Sequence, residues 1–350
     1  MPELGDAIKI TVTDATAAMP SREWGTPAIV GESAYTTKET PKLYYSLADV
    51  KADHGGAAGA STDITVAAAD LFAQGVRKMY VVAIDATEAG APVADEVAAA
   101  LNTLTPYASE KLIHGVCLAM ITETTLLAAL KTFADANNVV FAVTNAPGDT
   151  ATTISTAASS LASGNGIYLA HADSTFTGDV AAAALGTLMT LRPWNTTFWR
   201  YINVAVTKYF APGDVPTLET AKVNVITNRV DGVNRISNAL TLSGSPKFID
   251  IVRTKYYAVT AIQDSVASLR LRMTKLPYTP AGLDYVRGAI AQALEGMVRS
   301  GALHSYAISL PPFEEIADAD KANRVLKNVN IMAVLAGDIQ TFDLNLTISV

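Results

Sequence analysis

The chain has one cysteine, Cys117, and four histidines in 350 residues. A single cysteine cannot close an intrachain disulfide, so no disulfide framework is expected. Cys117 sits inside the apolar run Leu112 to Ile121, the setting of a buried structural thiol. His114 shares that run, while His54, His171 and His304 have no partner at ligand spacing, so no metal site is expected. Clustered Lys and Arg are also missing. The longest basic run, Lys321 to Lys327 with Arg324, is short and flanked by Asp318 and Asp320, and the net charge is -7. That balance disfavours nucleic acid, whose binding needs grouped cations. No apolar stretch reaches the roughly eighteen residues that suggest a membrane span, so no membrane insertion is expected. The opening MPELGDAIKI lacks the basic-then-apolar order of a secretion signal. The expectation is a protein made and kept in a cytoplasm-like compartment.

What is present is apolar and regularly patterned. Half the residues are hydrophobic and 17% are charged, a composition that folds around cores large enough for two domains. The last ten residues alternate strictly: Phe342, Leu344, Leu346, Ile348 and Val350 are apolar, with polar residues between them. This is the period of a strand with one buried face, and it could extend about 33 Å. Ile8, Ile10 and Val12 alternate in the same way near the other end. Each strand either pairs inside its own subunit or serves as an arm that completes a sheet in a neighbouring copy. The pattern fits both.

Between these strands, the segment from Asp63 reads as alternating helix and strand. Helices are expected at Ile64–Gln74, Val93–Leu104, Leu126–Ala136, Ile154–Leu161 and Val180–Leu191. Strands are expected at Met79–Ile84, Ile113–Ile121, Val139–Val143 and Ile167–Ala170. Four strands alternating with helices argue for a parallel α/β layer with helices on both faces. Leu43 to Val50 is expected to start a helix, Ala28–Val30 is an apolar segment closed by Gly31, and Val223–Ile226 is strand-like. Aromatic residues crowd into Arg192 to Gly213 (Trp194, Trp199, Tyr201, Tyr209, Phe210), which reads as core or interface.

Gly232, Gly244 and Pro246 mark a loop-rich transition. Beyond it, Val252, Tyr256, Val259, Ile262, Val266 and Leu269 form one helical stripe. Thr279-Pro280 caps a second helix that Gly301 stops. Tyr306 to Leu310 and Val329 to Leu335 read as strands, with an acidic loop at Glu314 to Ala322. The expected fold class is therefore α/β plus α+β. Its divisions are an N-terminal arm over 1–20, an α/β domain over 21–244, a smaller α+β domain over 245–338 and a C-terminal β arm over 339–350.

The sequence carries few signs of chemistry. The glycines at 55, 56 and 59 have no Lys-Ser/Thr pair after them, so they are not a phosphate loop. Asp85 to Gly90, after an expected strand, lacks the glycine spacing of a dinucleotide site, and Gly164 and Gly166 precede a strand where such a site follows one. No G-x-S-x-G elbow occurs. Asp318 and Asp320 lack the glycine and closing glutamate of a calcium loop. Asp85 and Asp173, near strand ends, are the two carboxylates placed for catalysis; loop aspartates also form caps and turns. No catalytic residue, cofactor or metal is expected.

Several segments together resemble the contractile phage tail sheath and injection-system sheath family. They are Ala68 to Ile84, with Phe72 ahead of Gly75 and then Tyr80-Val81-Val82; the helix from Phe248; residues 276–303; and residues 328–350 with the turn Leu335-Ala336-Gly337-Asp338-Ile339. The likeness is strongest over 248–350, and the extra outer domains of large sheaths are missing. It implies a non-enzymatic subunit that polymerises into a helical homo-oligomer of stacked rings. The rings enclose an inner tail tube, join a baseplate and end at a tail terminator protein. Contraction drives the tube through a cell envelope. It also implies a place in the virion tail, with assembly in the host cytoplasm, and neighbours tied by terminal arms through Ile8, Ile10, Val12, Phe342, Leu344, Leu346, Ile348 and Val350. The alternatives are an α/β nucleotide-binding enzyme with Asp85 or Asp173 near its site, and another self-assembling shell or tube protein.

Overall fold

The computed structural model describes residues 24–33, 37–55, 62–84, 92–229 and 231–340. Its centre is an eight-stranded sheet ordered β2-β3-β1-β4-β5-β6-β7-β8. The strands are β1 (Pro27–Gly31), β2 (Lys42–Tyr44), β3 (Met79–Ala83), β4 (Gly115–Leu118), β5 (Val140–Val143), β6 (Gly166–Ala170), β7 (Val223–Thr227) and β8 (Arg235–Ile236). β3 through β7 in that order run parallel, and the short β2 and β8 are antiparallel at the two edges. β1, β4, β5, β6 and β7 are buried along their whole length, which explains their continuous apolar sequences: both faces are covered.

Helices cover each face. On one side lie α2 (Asp63–Ala73) and α7 (Val180–Thr190), packed through Ile64, Ala68, Leu71, Leu185 and Leu188. On the other lie α3 (Ala94–Asn102), α5 (Thr124–Asn137), α6 (Ala151–Ser160) and α8 (Val215–Thr220). α2 and α7 approach closely because position 186 is glycine; a Cβ there would meet the Leu71 carbonyl oxygen at 3.0 Å.

Some boundaries differ from expectation for local reasons. The helix expected from Leu43 divides into β2 and α1 (Leu47–His54), because the Ser46 hydroxyl accepts from the Asp49 N–H at 3.2 Å and caps a later start. The helix expected to reach Leu104 stops at Asn102, and a separate short helix, α4 (Thr105–Ser109), begins with Pro106 in its first turn.

The C-terminal half is built on α9 (Ile249–Arg272) and α10 (Pro280–Arg299). Thr279 caps α10 by accepting from the Gly282 N–H at 3.3 Å. At its other end Gly301 takes φ +75°, with Gly301 N–H on Val298 C=O and Ala302 N–H on Met297 C=O. The single stripe expected on α9 is corrected, because Val259 faces solvent. α9 serves two cores with different sides. Ile249 and Val252 join the sheet core, whereas Tyr257, Ala258, Ile262 and Val266 pack on Ile290, Leu294 and Met297 of α10. The acidic stretch expected as a loop instead holds a 3-10 turn (Phe313–Glu315) and a short helix, α11 (Asp318–Ala322). Two antiparallel strands, β9 (Leu303–Ser309) and β10 (Asn330–Leu335), close this half.

Candidate assembly surface

The two sheets treat their edges differently. An edge strand exposes unpaired backbone groups, and short flanking strands blunt it. The large sheet has such guards: β2 is three residues long and β8 is two. Among the described residues the small sheet has none. Its strands pair over six register positions, and among the described residues β10 pairs with β9 alone. Ile331 opposite Ile308 and Ala333 opposite Tyr306 alternate with Met332 opposite Ala307 and Val334 opposite Ser305. Tyr306 and Ile308 lean onto the α10 core, so Met332 and Val334 stand on the outer face. They are 69% and 45% exposed, and Ile339 just beyond is 72% exposed. A register shift that leaves His304 without an opposite residue bends β9 at one end.

The core behind this sheet is thin. Ile290, Leu294, Met297, Ala302 and Leu303 are buried, but Trp194, Tyr257, Tyr306, Ile308, Val329 and Leu335 around them are only partly covered. A long open edge, an apolar outer face and a thin core together describe a surface suited to a further strand or another chain. The arm residues Ile8, Ile10, Val12, Phe342, Leu344, Leu346, Ile348 and Val350 lie outside the described residues. Burial and then the nearby Asp338 raise the pKa of Asp250, and the Gln340 amide donates to Thr196 Oγ1 at 3.4 Å. The chain therefore passes the base of α9 as it approaches the C-terminal segment.

The residues considered for chemistry are otherwise occupied. Asp85 lies outside the described residues. Asp173 accepts from Thr175 Oγ1 and Thr207 Oγ1, both at 2.7 Å, and from the N–H groups of Thr207 at 2.9 Å and Thr175 at 3.0 Å. These bonds hold its carboxyl far below the usual range. It fastens two loops and has little capacity left to take up a proton. His114 accepts from the Thr26 N–H at 3.4 Å beside Trp24, and burial, then Arg253, pushes its pKa down to about 3. Burial pushes the Cys117 thiol up, leaving it inert. Burial also lowers His171, whose ring meets Phe176.

One polar cluster escaped sequence reasoning because its members are scattered between residues 33 and 54. Ser33 Oγ lies 2.8 Å from His54 Nδ1, and His54 Nε2 lies 2.9 Å from the Tyr44 hydroxyl, which donates to Asp53 at 2.7 Å. The Tyr44 proton is committed to Asp53, so Nε2–H donates to Tyr44 and Nδ1 accepts from Ser33. Burial lowers His54 to about 4, too weak a base to activate a serine at neutral pH. The cluster ties the loop after β1 to the end of α1. Among the described residues, no group of three or more His, Cys, Asp or Glu could hold a metal ion, and no helix is long and apolar enough to cross a membrane.

No family model and no curated protein matches the chain. Solved structures do. A subunit of the contracted helical sheath of the anti-feeding prophage is 14% identical, with 97% of each chain covered and a TM-score of 0.72. A chain of the six-fold symmetrised baseplate of the same particle is 16% identical, with 98% of each chain covered and a TM-score of 0.70. The sheath tail protein from Listeria innocua is 10% identical, covering 90% of this chain and 96% of its own, with a TM-score of 0.61. Over nearly its whole length, the chain has the fold of contractile sheath proteins.

Proposed function

We propose that this chain is the structural subunit of a contractile tail sheath. It polymerises helically around an inner tube, joins a baseplate and a tail terminator, and contracts to drive the tube through a cell envelope. The observation that carries this reading is the open β9–β10 sheet with its apolar outer face, on a chain whose fold is that of sheath proteins. The arms around Ile8, Ile10 and Val12 and around Phe342 to Val350 add strands to that sheet in neighbouring copies. Residues 21–244 form the body and 245–338 the smaller domain that receives the arms. The particle is a virion tail assembled in the host cytoplasm.

Strand addition suits this task. Main-chain hydrogen bonds tether a neighbour whatever the contacts between bodies, so bodies can repack while the lattice stays connected. The energy for contraction resides in a metastable packing of the extended assembly, and the subunit needs no enzymatic activity. The competing nucleotide-enzyme reading has Asp173 as its described carboxylate, and four hydrogen-bond donors already occupy that group.

Deleting residues 342–350 tests the arm. The truncated chain is expected to keep its thermal transition and lose tube formation in electron microscopy and sedimentation. Tubes formed by the truncated chain as readily as by the full chain would refute strand addition by this segment.

A further inference from the structure

α9 and α10 leave between them a groove of about 520 Å³. Ala261 and Ser265 line it from α9, and Ala293 and Gly296 line it from α10. Small side chains on both helices let a third segment come close. A Cβ on Gly296 would meet nothing within 4 Å, so the space above it is open. Trp194 and Tyr257, with ring centroids 5.5 Å apart, mark one end. Arg192 lies there too, its guanidinium 5.9 Å from the Trp194 ring, and among the described residues it has no carboxylate partner. From Tyr257 to Ser265 the helix rises about 12 Å, and the volume spread over that length gives a cross-section of about 43 Å². A helix at least 10 Å across needs about 80 Å². The groove takes a single extended chain.

One segment is tethered at this groove. Residues 1–23 lie outside the described residues, and Trp24, which follows them, meets Tyr257 edge to face at 5.4 Å. An extended chain advances about 3.3 Å per residue, so the four or five residues before Trp24 span the groove. They are Met19, Pro20, Ser21, Arg22 and Glu23. Their chemistry fits the lining. Glu23, next to Trp24, supplies the carboxylate that Arg192 lacks, and Met19 is a flexible filler for the space over Ala261 and Gly296. Pro20 has no N–H and holds Met19 extended, which suits a groove of helix side chains better than a strand ladder. We propose that residues 19–23 seat between α9 and α10 of their own chain, with Glu23 beside Arg192 and Met19 toward Ser265 and Gln292. Tethering gives the segment a millimolar effective concentration, so modest contacts hold it. The C-terminal segment also approaches, but Gln340 reaches Thr196, which does not line the groove. The seat is independent of the polymer reading and fixes where residues 1–18 leave the subunit.

The test uses the full chain carrying Met19→Cys and Gln292→Cys, treated with a short bismaleimide; Cys117 is buried and does not react. A link between positions 19 and 292 is expected in a species of monomer mass, identified by peptide mass spectrometry. In a mixture of isotopically light and heavy protein, a link joining light to heavy chains would overturn the seat on the same chain. Phe342→Cys with Gln292→Cys tests the competing occupant. An equal or stronger link from that pair would assign the groove to the C-terminal segment and overturn the proposal, as would no link from either pair. In parallel, Gly296→Trp fills the groove from an open position. It is expected to speed trypsin cleavage after Arg22 about tenfold, since cleavage follows the population of the open form, whereas Gly296→Ala is expected to change it little. Equal cleavage in Gly296→Trp and the unaltered chain would refute the seat. The 19–292 link without tubes would support the seat and count against the sheath reading alone.

Discussion

Arg253→Met probes the join between the two halves of the chain. Arg253 is fully buried in the first turns of α9, and its Nη2 donates to Leu191 C=O at 2.7 Å, just past the end of α7. A second bond, to Arg192 C=O at 3.4 Å, is long enough to add little. Burial lowers the guanidinium to about 10, so it remains charged at neutral pH. Methionine fills much of the space but donates nothing. The Leu191 carbonyl loses a charged donor, worth about 1.5–3 kcal/mol. Asp250, whose carboxyl burial already raises, loses the cation that offsets Asp338. Asp250 feels the Arg253 charge without forming an ion pair with it, so the lost donor is the larger part of the cost. The expected loss is about 3 kcal/mol, which for a chain of this size lowers Tm by about 4 °C. Calorimetry or circular dichroism melting at pH 7.5 measures it. Adding Asp250→Leu should recover part of the loss, because the remaining charge is then gone. A loss under about 1 kcal/mol, or no recovery in the double variant, would refute the view that Arg253 locks α9 to the end of α7.

Two further predictions concern pH and the open sheet. Asp179 is fully buried at the start of α7, and burial pushes its pKa up to about 6 against hydrogen bonds from Met120 and Ala182. A carboxyl raised on folding contributes stability that is fully present below the unfolded pKa and is lost as pH rises through the folded value. This group should therefore make the protein about 0.8 kcal/mol more stable at pH 5.5 than at pH 7.5. Asp179→Asn should flatten that dependence in denaturant titrations, and an unchanged slope would refute the assignment. Met332→Lys on the outer face of β10 should change monomer stability by less than about 0.5 kcal/mol while abolishing assembly, read by melting and by sedimentation of the same sample. Normal assembly would exclude this face from the contact.

The parallel layer was legible because burial on both faces leaves an unmixed apolar signature. Met79–Ala83 and Val140–Val143 are runs with few alternatives. The ends of elements were less legible where a cap decides them. Ser46 starts α1 four residues later than hydrophobicity suggests, since a hydroxyl at that position satisfies a helix N–H that Leu43 cannot. Val259 was misplaced for a different reason. A periodic stripe assumes one core per helix, and α9 turns one side to the sheet and another to α10. The exposed face of β10 carries no signal of its own, because Met332 and Val334 read as ordinary strand residues until their exposure is seen.

The path of α9 constrains how such a subunit can move. The helix has 24 residues, about 36 Å of rise, with no glycine or proline between Ile249 and Arg272 to bend it. Its first turns are set in the sheet core and tied to α7 through Arg253, and its later turns carry the small core and, through α10, the β9–β10 sheet. Rotation of the body about a neighbour therefore moves the small sheet as its lever arm, because a stiff packed helix offers no hinge between them. On the proposed function, rearrangement during contraction then falls on the contacts between copies. On that same proposal the strand-addition edge would be the tether, held by direction-tolerant main-chain bonds. The contacts between bodies would be the ones that change. A variant that weakens the tether should lose tubes altogether, whereas one that weakens only the contacts between bodies should shift the balance between extended and contracted tubes, and electron micrographs of tube width separate the two.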